Sequence, residues 1–344
     1  MKNKLKFWTW LIPDTKKPLE EWKRTFSKMK AAGIDAILPQ IYQSRKALFR
    51  SDHLPMDDEW LERILPVAKA EGLEIHAWMW SMPCNIPKIE EDHPDWFCVN
   101  RNLQSVLVKP AYVPYYKFMC PSHPGVHEFV QKTVTELASF SDLDGIHLDY
   151  IRYPDVILPV GLQPKYGIVQ DREFPEYDYC YCEACRGDFK KQTGIDAVEL
   201  KDPSTNILWR QFRNDRITSL VNEKLVPIAR KNKKQITAAV FPNRGNVRQQ
   251  WQNWHLDAFL PMLYHKFYNA EIPWIQEQTR IGVKALTKQT PIFSGLFVPS
   301  LSPEELKVAM ENALAGGAQG VSLFNADSMT DSHWKIFQNT VKSL

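Results

Sequence analysis

Eight short apolar runs, separated by longer amphipathic stretches, constrain the fold of this chain more than any other feature. Each run has the composition of a strand and is bounded by Gly, Pro, Asp or Asn. Alternation of strands with helices is typical of a parallel sheet wound with helices. The predicted strands are Lys6–Ile12, Ala36–Tyr42, Glu74–Trp80, Gly145–Tyr153, Gln235–Phe241, Ala258–Tyr264, Pro291–Phe297 and Gly320–Ala326.

Eight such units favour closure into a (β/α)8 TIM barrel over an open sheet, because no G-x-G-x-x-G dinucleotide motif follows the first strand. We expect one domain spanning residues 1–344. Ser302-Pro303-Glu304-Glu305 has the pattern of a helix start and predicts the helix before the last strand. The long connections 81–123 and 155–181 leave the carboxyl ends of strands three and four. Because barrel active sites are built at this end, we predict that both connections wall a ligand cleft.

The charge and aromatic content favour a neutral ligand. Lys plus Arg number 43 and Asp plus Glu number 40, without a long block of one sign, so we expect no nucleic-acid partner. No apolar run approaches the roughly 20 residues of a membrane span. The 12 Trp, 12 Tyr and 17 Phe are suited to stacking on the C–H faces of sugars. The segment Met1–Leu11 lacks the apolar stretch of a signal peptide, which also fits a secreted or periplasmic protein after signal removal.

The fourth predicted strand places charged groups at the end of a buried run. Its sequence, residues 144–154, is DGIHLDYIRYP. Alternation along the strand puts His147 and Asp149 in the barrel interior. A buried carboxylate needs a partner or a chemical function, so Asp149 is the first candidate for a catalytic residue. The alternative is a structural pair of Asp149 with Arg152 or His147.

Together with three other motifs, this segment resembles the bacterial glycosyl-hydrolase-like proteins called family 10 glycosylhydrolases. That family includes enzymes acting on peptidoglycan glycan strands. The other motifs are Phe7-Trp8-Thr9-Trp10, Ala32-Gly33-Ile34-Asp35-Ala36 and Cys120-Pro121-Ser122-His123-Pro124-Gly125-Val126. The resemblance covers most of the chain and implies a barrel that hydrolyses glycosidic bonds, with Asp149 in the family's acidic position. Many members have two consecutive acids there, whereas this chain has Asp149-Tyr150.

A second catalytic group is harder to assign. Glycosidases use two carboxylates, about 5 Å apart for retention of configuration and about 6.5–9.5 Å apart for inversion. Asp327 is the acid that we find at the mouth of the last three strands, and we take it as the second catalytic candidate. The loop after strand four also offers Asp171, Glu173 and Asp178. A sugar with an acetamido group could instead supply its own nucleophile.

Polar and aromatic side chains at the predicted strand ends, with Asn100 in the loop after strand three, are candidates for substrate binding. Core packing is the alternative for each of them, because parallel barrel strands are buried on both faces. The candidates are Trp10, Gln40, Tyr42, His76, Trp78, Trp80, Asn100, His147, Arg152, Tyr264 and Asn325.

Three of the six cysteines crowd into one short motif. Cys180, Cys182 and Cys185 have C-x-C-x-x-C spacing, which can wrap one ion, and structural zinc takes four tetrahedral ligands. The motif is similar to the zinc-binding segment of family 42 β-galactosidases, in which a fourth cysteine comes from upstream. The similarity implies a structural zinc with Cys120 as the fourth ligand. Metal-free thiols and a disulfide are the alternatives, and we expect no cofactor for catalysis.

These features predict a glycoside hydrolase that acts on a bacterial, plant or host glycan in a cleft at the C-terminal mouth of the barrel. A glycan-binding barrel without catalysis is the alternative, because the second acid of the family motif is missing. A metal-assisted hydrolase using His76, His147, His265 and Asp149 ranks last, since no compact pair of metal ligands is present.

Overall fold

A computed structural model describes residues 4–344, so the first three residues of the segment Met1–Leu11 lie outside it. The described residues form eight strands. Their bounds are β1 Lys6–Leu11, β2 Ala36–Tyr42, β3 Glu74–Trp80, β4 Gly145–Asp149, β5 Gln235–Val240, β6 Ala258–Pro261, β7 Phe293–Phe297 and β8 Gly320–Phe324.

Helices connect these strands on the outside of the sheet. Except for the short helix α3, they bury apolar residues against the sheet; in the helix before β4, for example, Val126, Phe129, Val130 and Leu137 are buried. The predicted start at Ser302 is confirmed, since its hydroxyl and the Glu305 carboxylate form a capping box. The helices are α1 Leu19–Ala32, α2 Trp60–Ala70, α3 Pro87–Asp92, α4 Pro124–Ala138, α5 Glu183–Thr193, α6 Ile207–Ser219, α7 Val226–Lys231, α8 Pro273–Ala285, α9 Pro303–Ala315 and α10 Asp331–Ser343. No helix within residues 4–344 has the length and apolar composition needed to cross a membrane.

The sheet closes on itself, which confirms the predicted barrel. All pairs of neighbouring strands are parallel, in the order β6-β5-β4-β3-β2-β1-β8-β7. Two isolated parallel bridges, Phe259 to Ile292 and Met262 to Gly295, join β6 to β7 and complete the ring. The carboxyl ends of all eight strands therefore meet at one mouth.

The core has an inner and an outer part, as strand alternation requires. The inner cluster fills the barrel, whereas Ile146 and Leu148 belong to the outer cluster between sheet and helices. The inner cluster consists of Trp8, Trp10, Ala36, Leu38, Trp78, Ala239, Ala258, Leu260 and Phe293.

Several strands end earlier than the sequence predicts, and β4 shows why. The prediction continued β4 to Tyr153, but the strand ends at Asp149. Tyr150 has a φ of +51°, in the left-handed region, so the chain leaves the sheet at this residue. Asp149 is consequently the last residue of its strand, at the barrel mouth.

Candidate active site and cysteine cluster

A cavity of about 310 Å³ lies at the barrel mouth and contains Asp149. It is lined by residues in or next to all eight strands and by the connections after β3, β4 and β6. Ten of its nineteen lining residues are aromatic. The lining consists of Ile12, Gln40, Trp78, Trp80, Tyr116, Asp149, Tyr150, Arg152, Asp155, Leu158, Pro159, Leu162, Phe241, Met262, Tyr264, Phe267, Tyr268, Phe297 and Phe324.

The Asp149 carboxyl group is 8% exposed and has two hydrogen-bond donors. The Trp78 indole N–H donates to Oδ2 at 3.0 Å, and the Tyr150 backbone N–H donates to Oδ1 at 2.7 Å. Burial raises the pKa of Asp149 to about 6, although both donors and the more distant Arg152 act to lower it. A carboxyl group with this pKa can hold a proton near neutral pH and release it to a substrate.

Tyr150 and Trp80 form the wall next to Asp149. Their rings lie 4.6 Å apart, and the Tyr150 ring also contacts Tyr116 and Phe118 from the connection after β3. Tyr150 therefore donates its N–H to the Asp149 carboxylate while its ring forms part of this wall. Tyr150 stands where many members of the resembled family have a second acid. In this chain it therefore contributes to the cavity wall.

Arg152 contributes the cation of the cavity wall, but its partner is Asp155. Arg152 Nη1 donates to Asp155 Oδ2 at 3.0 Å and to the Tyr153 carbonyl at 2.8 Å. The guanidinium lies over the rings of Phe241 and Tyr150. The structural pairing of Asp149 with Arg152 or His147, weighed as an alternative from the sequence, is not found in residues 4–344.

Six of the candidates from the sequence line this cavity together. Gln40 and Trp80 contribute partly exposed side chains, whereas the Tyr264 ring is almost completely buried. The negative charge of Asp149 and burial raise the pKa of Tyr264, burial having the larger effect. The six are Gln40, Trp78, Trp80, Asp149, Arg152 and Tyr264.

Trp10 and His147 lie inside the barrel instead. The Trp10 indole N–H donates to His147 Nε2 at 3.1 Å, so the His147 proton is on Nδ1, which donates to Thr237 Oγ1 at 2.9 Å. Burial, assisted by the nearby His76, holds the pKa of His147 well below its usual range. Neutral His147 is part of a hydrogen-bonded interior layer.

His76 and Tyr42 also lie away from the cavity. His76 is completely buried at the level where β4 begins, opposite Gly145, and its ring packs against the tilted Trp8 ring with the centroids 4.3 Å apart. Tyr42 points to the outer core, where it is 1% exposed. Strand alternation assigns Gln40 and Tyr42 to one face, but a register shift between these two residues turns Tyr42 outward.

Asn100 and Asn325 hold turns together. The buried Asn100 Oδ1 accepts hydrogen bonds from the backbone N–H groups of Asn102 and Gln104, both at 3.0 Å. Asn325 Oδ1 accepts from the Ser328 hydroxyl at 2.7 Å. Neither lines the cavity.

The second acid expected from the sequence, Asp327, lies beside the cavity rather than in its lining. Its Oδ2 accepts a hydrogen bond from the backbone N–H of Ile12, a lining residue, at 3.2 Å. Burial raises the pKa of Asp327.

The acids of the loop after β4 serve other contacts. Asp178 is buried in ion pairs with Arg213 and Arg248, and Glu173 pairs with Arg248. Burial opposes ionisation of Asp178, but the two arginines outweigh it and hold the pKa of this carboxyl below its usual range. Asp171 is exposed.

Sequence reasoning missed the lining residues that come from irregular segments. Tyr116 and Asp155 lie in loops and Tyr268 ends a single 3-10 turn, where no periodicity indicates which side chains point inward. The signal available for them was the position of their loops after the carboxyl ends of strands.

The four cysteines of the predicted zinc site come together. Their Sγ atoms lie within 4.8 Å of one another, and all four residues are buried. Backbone N–H groups point at two of the sulfurs, from Val99 to Cys180 at 3.5 Å and from Ser122 to Cys120 at 3.4 Å. A tetrahedral zinc with bonds of about 2.3 Å needs sulfurs about 3.8 Å apart, so the donor set fits this ion.

Comparisons with known proteins show what this chain is similar to. Residues 18–159 match the model of the family "Glycosyl hydrolase-like 10". The resemblance inferred from the sequence is thereby confirmed over this segment. A curated relative, Glycosyl hydrolase YngK of Bacillus subtilis, is 23% identical over 159 residues, which cover 40% of this chain and 29% of that protein.

Solved structures share the fold at low sequence identity. The PgaB (BpsB) glycoside hydrolase domain of Bordetella bronchiseptica has a TM-score of 0.75 at 12% identity, covering 98% of this chain and 99% of that one. A β-galactosidase of Halorubrum lacusprofundi has a TM-score of 0.70 at 13% identity, covering 98% and 58%. The β-amylase catalytic domain of Paenibacillus polymyxa has a TM-score of 0.67 at 12% identity, covering 98% of each chain. The chain therefore has the TIM-barrel fold of glycoside hydrolases.

Proposed function

We propose that this chain is a glycoside hydrolase whose active site is the cavity at the barrel mouth. The observation that carries the proposal is Asp149, a buried carboxyl group with its pKa raised to about 6 at the end of β4. The family match and the aromatic lining support a carbohydrate substrate.

Asp149 acts in this proposal as the general acid. Its proton passes to the glycosidic oxygen while the bond from that oxygen to the anomeric carbon breaks. Trp78 and Tyr150 orient the carboxylate, and the surrounding aromatic rings hold the sugar and exclude water. Asp327, next to the lining residue Ile12, is the candidate second carboxylate.

Two matched variants test these assignments. Asp149→Asn keeps the size of the side chain and removes its acid function, so turnover should fall by about 10²-fold or more while the fold persists. Asp327→Asn should reduce turnover comparably if this residue is the second carboxylate. Turnover would be measured on a panel of glycosides, with circular dichroism confirming the fold of each variant. A folded Asp149→Asn enzyme with full activity would refute the proposal.

One observation favours the non-catalytic alternative. Of the two acids that line the cavity, Asp155 is in an ion pair, so Asp149 is the unpaired one. A glycan-binding barrel would bind oligosaccharides without releasing products, and isothermal titration together with product analysis separates the two functions.

The cysteine cluster is proposed to hold a structural zinc. Cys120 belongs to the connection after β3 and the other three ligands to the connection after β4. An ion bound here would cross-link these two connections and supply no chemistry to the reaction. Elemental analysis of protein purified without chelator should find about one zinc per chain.

A further inference from the structure

We propose, on the premise that the proposed function is correct, that the enzyme cleaves at glycan chain ends. The structure assigns the cavity to a short terminal unit of the glycan, because the cavity is small and a docked loop lines one side of it. Internal cleavage requires a groove that is open at both ends.

Loop residues contribute to the cavity lining on one side of the barrel mouth. The connections after β3, β4 and β6 contribute lining residues that lie well beyond their strand ends along the chain. The other five strands contribute residues in the strand or directly after it. The lining residues beyond the strand ends are Tyr116, Asp155, Leu158, Pro159, Leu162, Phe267 and Tyr268.

The segment 156–170, the bridging loop, lies on this side and supplies Leu158, Pro159 and Leu162 to the lining. It leaves β4 and crosses to the connections after β5 and β6. Val156 N–H donates to the Asn246 carbonyl, and Gly161 N–H donates to the Phe267 carbonyl, both at 2.8 Å. A Cβ atom at Gly161 would lie 2.4 Å from the Lys266 carbonyl oxygen, so the loop is docked in close backbone contact.

Two buried glutamines fix the shape of the bridging loop. Gln170 Oε1 accepts a hydrogen bond from the Leu158 N–H, and Gln163 Nε2 donates to the Leu158 carbonyl. Gln163 Oε1 accepts from the Gln170 N–H. Leu158 and Leu162 are thereby held against the cavity as a fixed apolar wall.

The size of the cavity agrees with a short ligand. Its volume of about 310 Å³ is at the lower end of the roughly 300–1,000 Å³ of small-molecule sites. A terminal sugar unit can enter with its glycosidic oxygen toward Asp149, and the rest of the glycan leaves over the opposite side, where the lining residues come from β7, β8, β1 and β2 or directly follow them. One water is consumed, and the terminal unit is released.

Product analysis of unlabelled hexasaccharides tests this inference. A panel of defined hexasaccharides would be incubated with the wild-type enzyme and analysed by mass spectrometry at early times. We expect a single short product of constant length and its complementary fragment. A mixture of fragment lengths from the first time points would overturn the inference while leaving glycosidase activity established.

Gly161→Ala tests the bridging loop itself. The added methyl group must displace the loop from the Lys266 carbonyl, so the ratio of internal to terminal cleavage should rise about tenfold. Gly187→Ala is the matched control, because nothing lies within 4 Å of its added Cβ, and its product pattern should match the wild type. If Gly161→Ala does not fold, Gln170→Ala removes the internal clamp instead. An unchanged product pattern in the folded loop variant would refute the role of the loop.

Binding separates this inference from the proposed function. If neither the glycoside panel nor any hexasaccharide is cleaved, the proposed function fails. The tryptophan fluorescence of Asp149→Asn would then be titrated with monosaccharides and with hexasaccharides. Equal affinity for monosaccharides and hexasaccharides supports a cavity that holds only the terminal sugar unit. Absence of binding, or an affinity for the hexasaccharide more than about tenfold tighter, overturns it.

Discussion

Asp149 shows how a single residue acquires reactivity from its position. Burial at the end of β4 disfavours the charged form, and two hydrogen-bond donors offset part of that effect. The resulting pKa of about 6 is above the ordinary value of 3.8. A carboxylate held in this way destabilises the folded protein whenever it is ionised.

This cost predicts how the stability of Asp149→Asn depends on pH. Well below pH 3.8 the Asp149 carboxyl is protonated in both the folded and the unfolded protein. As pH rises to 6 the unfolded chain loses its proton first, so the wild type loses stability relative to the variant. The stability difference should change in favour of the variant by about 2 kcal/mol between pH 4.5 and 7.5, measured by urea unfolding.

Asp196→Asn is the control for this experiment. Hydrogen bonds from Arg186 lower the pKa of Asp196 to about 2, so its stabilising contribution is lost as pH falls through 4 to 2. Its difference from the wild type should be nearly constant over the range used for Asp149. A similar constancy for Asp149→Asn would contradict the raised pKa.

Trp78→Phe tests the donor that sets this pKa. Loss of the indole N–H leaves Asp149 Oδ2 without its bond at 3.0 Å, so the pKa of Asp149 should rise. If Asp149 is the general acid, the alkaline limb of the kcat profile should move to higher pH. Trp80→Phe is the matched control, because the Trp80 indole lines the same cavity without a hydrogen-bond partner. Equal pH profiles for the two variants would refute the role of Trp78.

Residue by residue, the sequence identified chemical types better than their roles. It placed Trp78 near the site as a sugar-stacking group, whereas the indole serves Asp149. It placed Tyr42 on the mouth side, and one register shift turned that ring outward. Such contacts depend on cross-strand register and rotamers, which strand alternation does not determine.

At the scale of elements, strand and loop positions could be predicted because parallel buried strands are distinct from amphipathic helices. Strand ends could not, since the departure of the chain at Tyr150 depends on a left-handed residue without a Gly signal. The two long connections meet at the cysteine cluster, which the spacing and the family resemblance indicated.

Cys182→Ser should therefore destabilise these two connections. A serine hydroxyl is a poor zinc ligand, so the variant should lose bound zinc and about 2 kcal/mol or more of stability. Cys84→Ser removes another buried thiol outside the cluster and should keep its zinc. Elemental analysis and melting temperature would be compared, and zinc retention in both variants would contradict the four-cysteine site.

At the scale of the whole molecule, the barrel depends on closure as well as on its individual units. Closure between β6 and β7 is made by two bridges, whereas β8 is fully paired on both sides. The number of units in the sequence predicted a closed barrel. Its least extensive strand pairing joins β6 to β7, where β6 is shortened to four residues. The apolar pattern overestimates the length of β6. The number of paired residues between β6 and β7 determines how firmly the barrel closes at that point.

Gly320 lies where β8 joins both β1 and β7, and it offers a test of closure. A Cβ atom there would lie 1.8 Å from the Lys6 carbonyl oxygen, a backbone atom of the neighbouring strand. Gly320→Ala must therefore separate β8 from β1, and we expect a loss of about 3 kcal/mol or more in unfolding free energy. Because every strand end contributes to the cavity, activity should fall together with stability. Gly187→Ala adds the same methyl group in open space within α5, where it should raise stability by no more than about 1 kcal/mol and leave activity unchanged. A Gly320→Ala protein with wild-type stability would show that the pairing of β8 with β1 tolerates displacement of β8.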